Sequence, residues 1–505
     1  MKRLESMKHR IPSKSTALSP SDFRILKDLK SKYIFHPTDK SAQDFAITCK
    51  AFYYANLLSE YDTTKTYHAL PADTVPASLT GNHLKFTSSL KLNIPSSLTL
   101  STHLIPYAVQ YLKAHKDPFA YRHVAASRYS SLKPISSFLT KVFKVINPDV
   151  ERLWIDSLKA HGLSTTRSWI ITNSDDLKSH ITKLNASIRR SHQEPTDPIT
   201  LDFSTLYTTL PHKELKQRIS KLIRQIFKAK MKEGRFTHLC PNHPTTVWHT
   251  KPSLKAENKL QYWTADNLCQ ALYYLVDNTF VCIGDRIYKQ KVGIPMGTNC
   301  AVYLANYFLL TFELDFMIKL CKQDLAKAQL FSHTYRYIDD ILTLCNPYFI
   351  PSLLHIYPTY LQVNEEQNNP SVHFLDIRIS RTHRKTAPYL TNLFDKRQLP
   401  KFAALPMTRY PHTLSFVPRR FGTNIITSQS YRFLRRCMRK SSFIFHLATL
   451  IVELSCKGYS RNTLIRKARR FFRINLHLLY SAPSVCHLHR LLVNRLQLLS
   501  IKSKT

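Results

Sequence analysis

Two carboxylates stand side by side in a run that otherwise reads as protein core. The stretch HTYRYIDDILTLC (333–345) sets Asp339 and Asp340 between Tyr335, Tyr337 and Ile338 on one side and Ile341, Leu342 and Leu344 on the other. A charge moved into the interior is costly unless a cation neutralises it. Such a segment must turn its acids to water or bring something positive to them. The flanking residues read as two strands with the aspartates at a hairpin tip, which puts both carboxylates at a sheet edge. A third acid, Asp202, ends another strand in PITLDFSTLYTTLP (198–211). If the two strands are neighbours, Asp202 and Asp339 converge, and acids that close repel unless divalent cations lie between them. Hard oxygen donors suit Mg²⁺, with Mn²⁺ as a substitute. An isolated Asp–Asp pair reads equally well as a polar turn.

The charge balance narrows the partners. Lys and Arg total 73 against 33 Asp and Glu, a formal net charge of +40 spread along all 505 residues. Dense patches occur at RFLRRCMRK (432–440) and RKARRFFR (466–473). A folded body this positive calls for a polyanion, and nucleic acid gains from counterion release when its phosphates are neutralised. The alternative is a solvated basic surface. Hydrophobic residues make up 43% of the chain, which argues for a folded protein. Only 8 glycines occur, and neither G-x-x-x-x-G-K-[ST] nor G-x-G-x-x-G is present, which argues against phosphate-cradling nucleotide folds. Ten cysteines without paired spacing point to a reduced, intracellular chain. HLCPNHP (238–244) offers Cys240 and His243 with no second pair at zinc spacing. No run reaches the ~18 apolar residues of a membrane span, so no membrane partner is expected.

Along the chain, residues 1–75 read as helical and basic, and 71–102 as loop-rich. Pro211 opens a helix whose buried face is Leu215, Ile219, Leu222, Ile223, Ile226 and Phe227. FVCIGDRIYKQKVGIP is β-rich, TNCAVYLANYFLLTFELDFMIKL is a long buried helix, and SVHFLDIRIS (371–380) reads as one strand. From about 425 the pattern is helical and basic, broken at Gly458. The order of strand, Asp and helix, then strand, glycine turn and helix, then strand, Asp–Asp and strand, indicates an α+β fold: an antiparallel sheet with helices on one face.

These residues resemble reverse transcriptases. YIDD (337–340) is the Y-x-D-D tetrapeptide of their palm, DFSTLYTTLP (202–211) resembles the preceding palm motif, and GIPMGTNCAVYLANYF (293–308) resembles the glycine turn and helix between them, in the same order. The likeness is nearest to the Penelope-like retroelement group, distantly telomerase-like, and runs through most of the chain. HPTDKSAQDFAITCKAFYYANLLSEYDTTKTYHAL (36–70) resembles that group's N-terminal D-K-G region, with Ser41 in place of the glycine. YRHVAASRYSSLKPISSFL (121–139) resembles its finger segment, FLDIRI (374–379) and NLFDKR (392–397) its palm-to-thumb strands, and RYPHTLSF and KGYSRNTLIRKA its thumb. No GIY-YIG endonuclease motif is seen after the thumb, so cleavage of its own target by this chain is not expected.

The resemblance implies a right-hand polymerase: an N-terminal region (1–75), fingers (76–200), a palm (201–380, with a finger insertion at about 228–280) and a palm–thumb connection with helical thumb (381–505). It implies RNA-directed DNA synthesis from a primer 3′-OH with dNTPs and two Mg²⁺ ions, on an RNA template with a DNA primer or RNA–DNA duplex, in the nucleus. Asp202, Asp339 and Asp340 are the implied catalytic carboxylates, and Phe203 lends its backbone carbonyl to metal. Tyr207 takes the place of the aromatic that excludes a ribose 2′-OH, with a core tyrosine as the alternative. Arg122, assisted by Lys133 or Arg128, meets the triphosphate. Gly293, Pro295, Met296 and Gly297 hold template and incoming base, though a plain strand-to-helix turn accounts for the glycines as well. The basic thumb helices grip duplex phosphates, while Tyr431, Phe433, Phe471 and Phe472 read as packing residues, with stacking on bases as the alternative. Two other readings stay open: a nucleic-acid-binding protein without activity, and an RNA-dependent RNA polymerase on the same palm.

Overall fold

The computed structural model describes residues 19–502 apart from 40, 100–103, 115–117, 192–193, 244–245, 253–260, 295–297, 385–386, 396, 398, 400–408 and 416–418. Helix α1 (Pro20–Lys32) opens with a capping box in which Ser19 and Asp22 satisfy each other's backbone N–H. The N-terminal region is not wholly helical as expected. Strands β1 (Tyr33–Thr38) and β2 (Ser41–Cys49) form an antiparallel hairpin ahead of helix α2 (Lys50–Thr63). The aromatic and β-branched residues of YIF and FAIT prefer a pleated surface, and Pro37 would break a helix interior.

Beyond these lie β3 (Tyr67–Ala69), α3 (Pro76–Ser89), β4 (Tyr107–Lys113), β5 (Ala120–Ala126), α4 (Lys133–Lys159), α5 (Leu177–Ser191), β6 (Ile199–Phe203), α6 (His212–Gly234) and α7 (Ala265–Asp277). A hairpin of β7 (Phe280–Ile283) and β8 (Arg286–Gln290) leads to helix α8 (Ala301–Gln323). It returns to the N-terminal sheet, whose order is β2-β1-β4-β7-β8-β3 with β5 added on β4.

The central sheet is built from β6, β9 (Thr334–Tyr337), β10 (Asp340–Thr343) and β11 (Val363–Asn368) in the order β9-β10-β6-β11, every neighbouring pair antiparallel. Leu201 and Ile341 from this sheet join one apolar core with Phe143 and Trp154 of α4, Ile219 and Ile223 of α6, Leu272 of α7 and Phe308 of α8. The six apolar positions expected on α6 are all buried. Tyr335, Leu342 and Leu344 belong to a second core with Leu177, Ile181 and Leu184 of α5 and with a three-stranded sheet of β12 (Ser371–Phe374), β13 (Ile377–Arg381) and β14 (Tyr389–Leu393). SVHFLDIRIS is thus two strands and not one: Leu375 takes a left-handed φ of +55° and Asp376 completes a two-residue turn. Four helices close the chain, α9 (Arg419–Arg436), α10 (Lys440–Cys456), α11 (Arg461–Ile474) and α12 (Val485–Lys502), around their own core. Phe433, Phe471 and Phe472 are buried in it, as packing residues should be.

By length and composition α8 could cross a membrane, although Glu313 and Asp315 interrupt its apolar run. Its neighbours account for the apolar surface, since α8 packs against α4 and α6 within the first core.

Three histidines tie this packing to pH. Burial pushes the imidazoles of His83, His333 and His446 down to about 4. In an unfolded chain they titrate near about 6.5. Between those values the unfolded state holds more protons, so stability is full above the unfolded value and declines as pH falls toward 4. Chemical denaturation at pH 5 is expected to have a lower midpoint than at pH 7; equal midpoints would contradict the burial of neutral imidazoles.

Candidate active site: three carboxylates on paired strands

The hairpin around Asp339 is tight. Tyr337 pairs with Asp340, which leaves Ile338 and Asp339 as a two-residue turn. Asp340 therefore begins strand β10 while Asp339 occupies the tip. On its other edge β10 pairs with β6 so that Asp340 lies opposite Asp202. The N–H of Phe203 donates to the Asp339 carbonyl at 3.1 Å, tying the turn to the strand that carries Asp202. Carboxylate oxygens of Asp202, Asp339 and Asp340 come within 4.8 Å of one another, and all three residues are half-buried. Among the described residues this is the only cluster of three or more acid, histidine or cysteine side chains that could hold a metal ion. Cys240 and His243 form no such group among the described residues.

The donor set tests the expected ion. Three carboxylates at this spacing repel in the absence of a cation, and their all-oxygen composition fits Mg²⁺ or Mn²⁺ better than softer metals. Phe203 presents only backbone to this edge, because its ring is buried and meets the Tyr357 ring edge-on at 5.0 Å.

Tyr207 sits in a single helical turn, Leu206–Thr209, just after β6. Its ring is half-buried against the core. Burial first, and then the negative charge of Asp339, push its phenol up to about 12, so the hydroxyl stays protonated beside the acids. What fixes this turn is Gly293. The Gly293 N–H donates to the Leu210 carbonyl at 2.7 Å and the Ile294 N–H to the Tyr207 carbonyl at 2.8 Å. Gly293 has φ +87°, and a Cβ there would lie 2.2 Å from the Tyr207 carbonyl oxygen. Its glycine requirement thus comes from the chain's own backbone at Tyr207, as the plain-turn alternative expects. Pro295, Met296 and Gly297 lie outside the described residues.

Lys133, at the start of α4, donates to the Asn299 side chain at 2.6 Å, two residues beyond Gly297. Arg122 on β5 pairs with Asp39 at 3.4 Å and remains half-exposed. Asp39 belongs to the β1–β2 turn, so the N-terminal hairpin and β5 meet through this ion pair. Arg128 lies over the Tyr129 ring.

The two basic stretches separate. Arg432 and Arg436 of α9 pair with Asp376 at 2.8 Å and 3.0 Å, while Arg435 pairs with Asp175 at 2.7 Å and Arg436 meets Asp175 as well. Burial pushes the Asp376 carboxyl up, but the Ser174 hydroxyl and the Arg436 and Arg432 guanidiniums outweigh it and hold the group below its ordinary value. This stretch joins α9 to the turn of β12–β13 and to the segment before α5, and those three arginines are engaged within the chain. Arg466, Arg469, Arg470 and Arg473 of α11 are exposed, opposite the buried Leu464, Ala468 and Phe472. Of the two stretches, α11 carries the larger set of exposed arginines, with Arg435 and Arg439 exposed in the first.

Sequence reading missed the group beneath the hairpin. Arg336 and Glu313 are both fully buried and pair through two contacts, at 2.5 Å and 3.2 Å. An acid in the apolar helix α8 and a base in the apolar strand β9 were the available signal, since each needs a buried partner.

No protein-family model matches the chain. No curated protein matches it in sequence. Solved structures do resemble it. A telomerase of Candida albicans, solved with the TWJ fragment of telomeric RNA, is 11% identical with a TM-score of 0.53, covering 95% of this chain and 76% of that one. An apo telomerase of Candida tropicalis is 9% identical with a TM-score of 0.45, covering 96% and 77%. The 3Dpol RNA-dependent RNA polymerase of a Sicinivirus is 13% identical with a TM-score of 0.36, covering 77% and 71%. The first of these likenesses, which spans nearly the whole chain, establishes an α+β right-hand polymerase fold.

Proposed function

We propose that the chain is an RNA-directed DNA polymerase of a Penelope-like retroelement, extending a primer 3′-OH with dNTPs on an RNA template. The observation that carries this reading is the meeting of Asp202, Asp339 and Asp340 across paired strands. Divalent ions bound to such a triad would lower the pKa of the primer hydroxyl and neutralise charge on the leaving pyrophosphate. The chain's own residues would hold and aim the reactants. Asp202 and Asp340 face each other in register, and Asp339 completes the set from the turn. Lys133 would offset triphosphate charge from the N-terminus of α4, an anion-favouring place. The exposed arginines of α11 would meet backbone phosphates without reading sequence.

Tyr207 separates this reading from RNA synthesis on the same palm. Its ring lies beside Asp339, where the sugar of an incoming nucleotide would come to rest, and a bulky ring there would leave no room for a 2′-OH. The test is primer extension by the purified chain on a primed RNA template with Mg²⁺, supplying dNTPs or rNTPs separately. The reading predicts extension with dNTPs only. Tyr207→Ala is expected to raise rNTP use relative to dNTP by about 100-fold, the scale of a steric discrimination worth a few kcal/mol. Unchanged discrimination would assign Tyr207 to the core alone, and a wild-type chain that prefers rNTPs would favour the RNA polymerase.

A further inference from the structure

The Asp339 turn is held in a conformation that its sequence does not favour. Ile338 takes a left-handed φ of +58°. For a β-branched residue this is a strained backbone that persists only where surrounding contacts impose it. One such contact is plain: the Arg336 guanidinium donates from Nη1 to the Ile338 carbonyl at 3.1 Å. The other donors of the same fork are also spoken for. Nη1 reaches the Asn306 Oδ1 at 2.8 Å, Nη2 the Asn306 carbonyl at 3.1 Å, and Nε and Nη2 the two oxygens of Glu313. All five guanidinium hydrogens are thereby placed. Glu313 is itself steadied by the Tyr357 hydroxyl, which donates at 2.8 Å.

This arrangement bears directly on the acids. The Ile338–Asp339 peptide carries the carbonyl that Arg336 holds. One residue on, the Asp339 carbonyl accepts from Phe203, the neighbour of Asp202. The turn is thus pinned from below by Arg336 and from the side by β6, and the two pins set the Asp339 carboxylate against that of Asp202. Helix α8, largely buried in the first core, supplies Asn306 and Glu313 behind the hairpin.

We infer that Arg336, locked by Glu313, is a positioning residue for the metal-binding acids: it holds Ile338 in its strained turn and so fixes Asp339 against Asp202. The inference rests on the polymerase reading of the triad and adds a residue that touches neither nucleotide nor ion. A buried ion pair could instead serve folding alone, so the test must distinguish the two roles.

Mn²⁺ binding to the full-length chain, followed by electron paramagnetic resonance, provides a readout independent of turnover. Arg336→Lys keeps a cation opposite Glu313 and loses the fork. It is expected to weaken Mn²⁺ binding by about 10-fold, the factor corresponding to one released backbone strain. It should also lower kcat for dNTP addition while leaving the dNTP KM within about threefold, since the fork contacts no substrate. Adding Ile338→Gly removes the need for the restraint, because glycine takes a left-handed φ freely. The double variant is therefore expected to regain most of the lost affinity. Wild-type affinity in folded Arg336→Lys overturns the inference, and so does a double variant that binds no better than the single one. If Arg336→Lys does not fold, Glu313→Gln is read in its place. It weakens the lock without removing the fork and should cost at least about threefold in Mn²⁺ affinity; unchanged affinity overturns the inference. A wild-type chain that binds no Mn²⁺, or binds it equally after Asp339→Asn, overturns the triad reading itself and this inference with it.

Discussion

Asp339→Asn is expected to lower dNTP incorporation by on the order of 1,000-fold while leaving the fold intact, as several kcal/mol of lost charge stabilisation imply. The substitution keeps the size of the side chain and removes its charge. Three acids within 4.8 Å repel one another, so taking one charge away should leave the unfolding midpoint unchanged or raise it. Lost activity at retained stability separates a chemical role from a structural one. The check is single-turnover extension of a primed RNA template, paired with a denaturation curve for the same preparation. Activity within tenfold of wild type would remove Asp339 from the chemistry. Activity absent from both proteins would favour a binding protein without catalysis.

Gly293→Ala is expected to loosen the Tyr207 turn and lower dNTP incorporation by on the order of 100-fold, the cost of a misplacement near 1 Å at a reacting centre. The new Cβ would lie 2.2 Å from the Tyr207 carbonyl oxygen and 2.9 Å from the Thr208 Cα, both backbone atoms that a side-chain rotation cannot clear. A φ of +87° adds strain for any residue with a Cβ. Gly284 is the matched control: its φ is +57°, but nothing lies within 4 Å of its would-be Cβ. Gly284→Ala should show only the backbone strain, about 1 kcal/mol. Hydrogen exchange over residues 205–212 and 292–294 measures the difference. Faster exchange in Gly293→Ala with little change in Gly284→Ala supports the close approach, and equal behaviour contradicts it.

Much of the central sheet and its helices is legible because the signals are local. The alternation around Asp202 and the Asp339–Asp340 pair marks the strands and the 3.6-residue spacing from Leu215 to Phe227 marks the buried face of α6, while the meeting of the acids is only what the resemblance implies. What escaped depends on distant partners or on left-handed turns. Leu375 at φ +55° splits a run whose residues all favour strand, and the turn is stabilised by Asp376 meeting Arg432 and Arg436, 56 and 60 residues further along the chain. Those pairs also redirect arginines that composition alone would send to a nucleic acid. Gly293 answers a backbone 86 residues earlier, which no window of sequence displays; its glycine identity was visible, but not its cause. Arg336 is one of 73 basic residues, and its place in an apolar strand, with an acid in apolar α8, is the sequence signal of its burial.

Anomalous scattering from crystals of the full-length chain grown with primer–template, dNTP and Mn²⁺ tests the shared-ion site most directly. The account predicts manganese peaks between the Asp202, Asp339 and Asp340 carboxylates, and their loss in Asp339→Asn. Ordered nucleotide with no peak there, or manganese bound only elsewhere on the molecule, would contradict it.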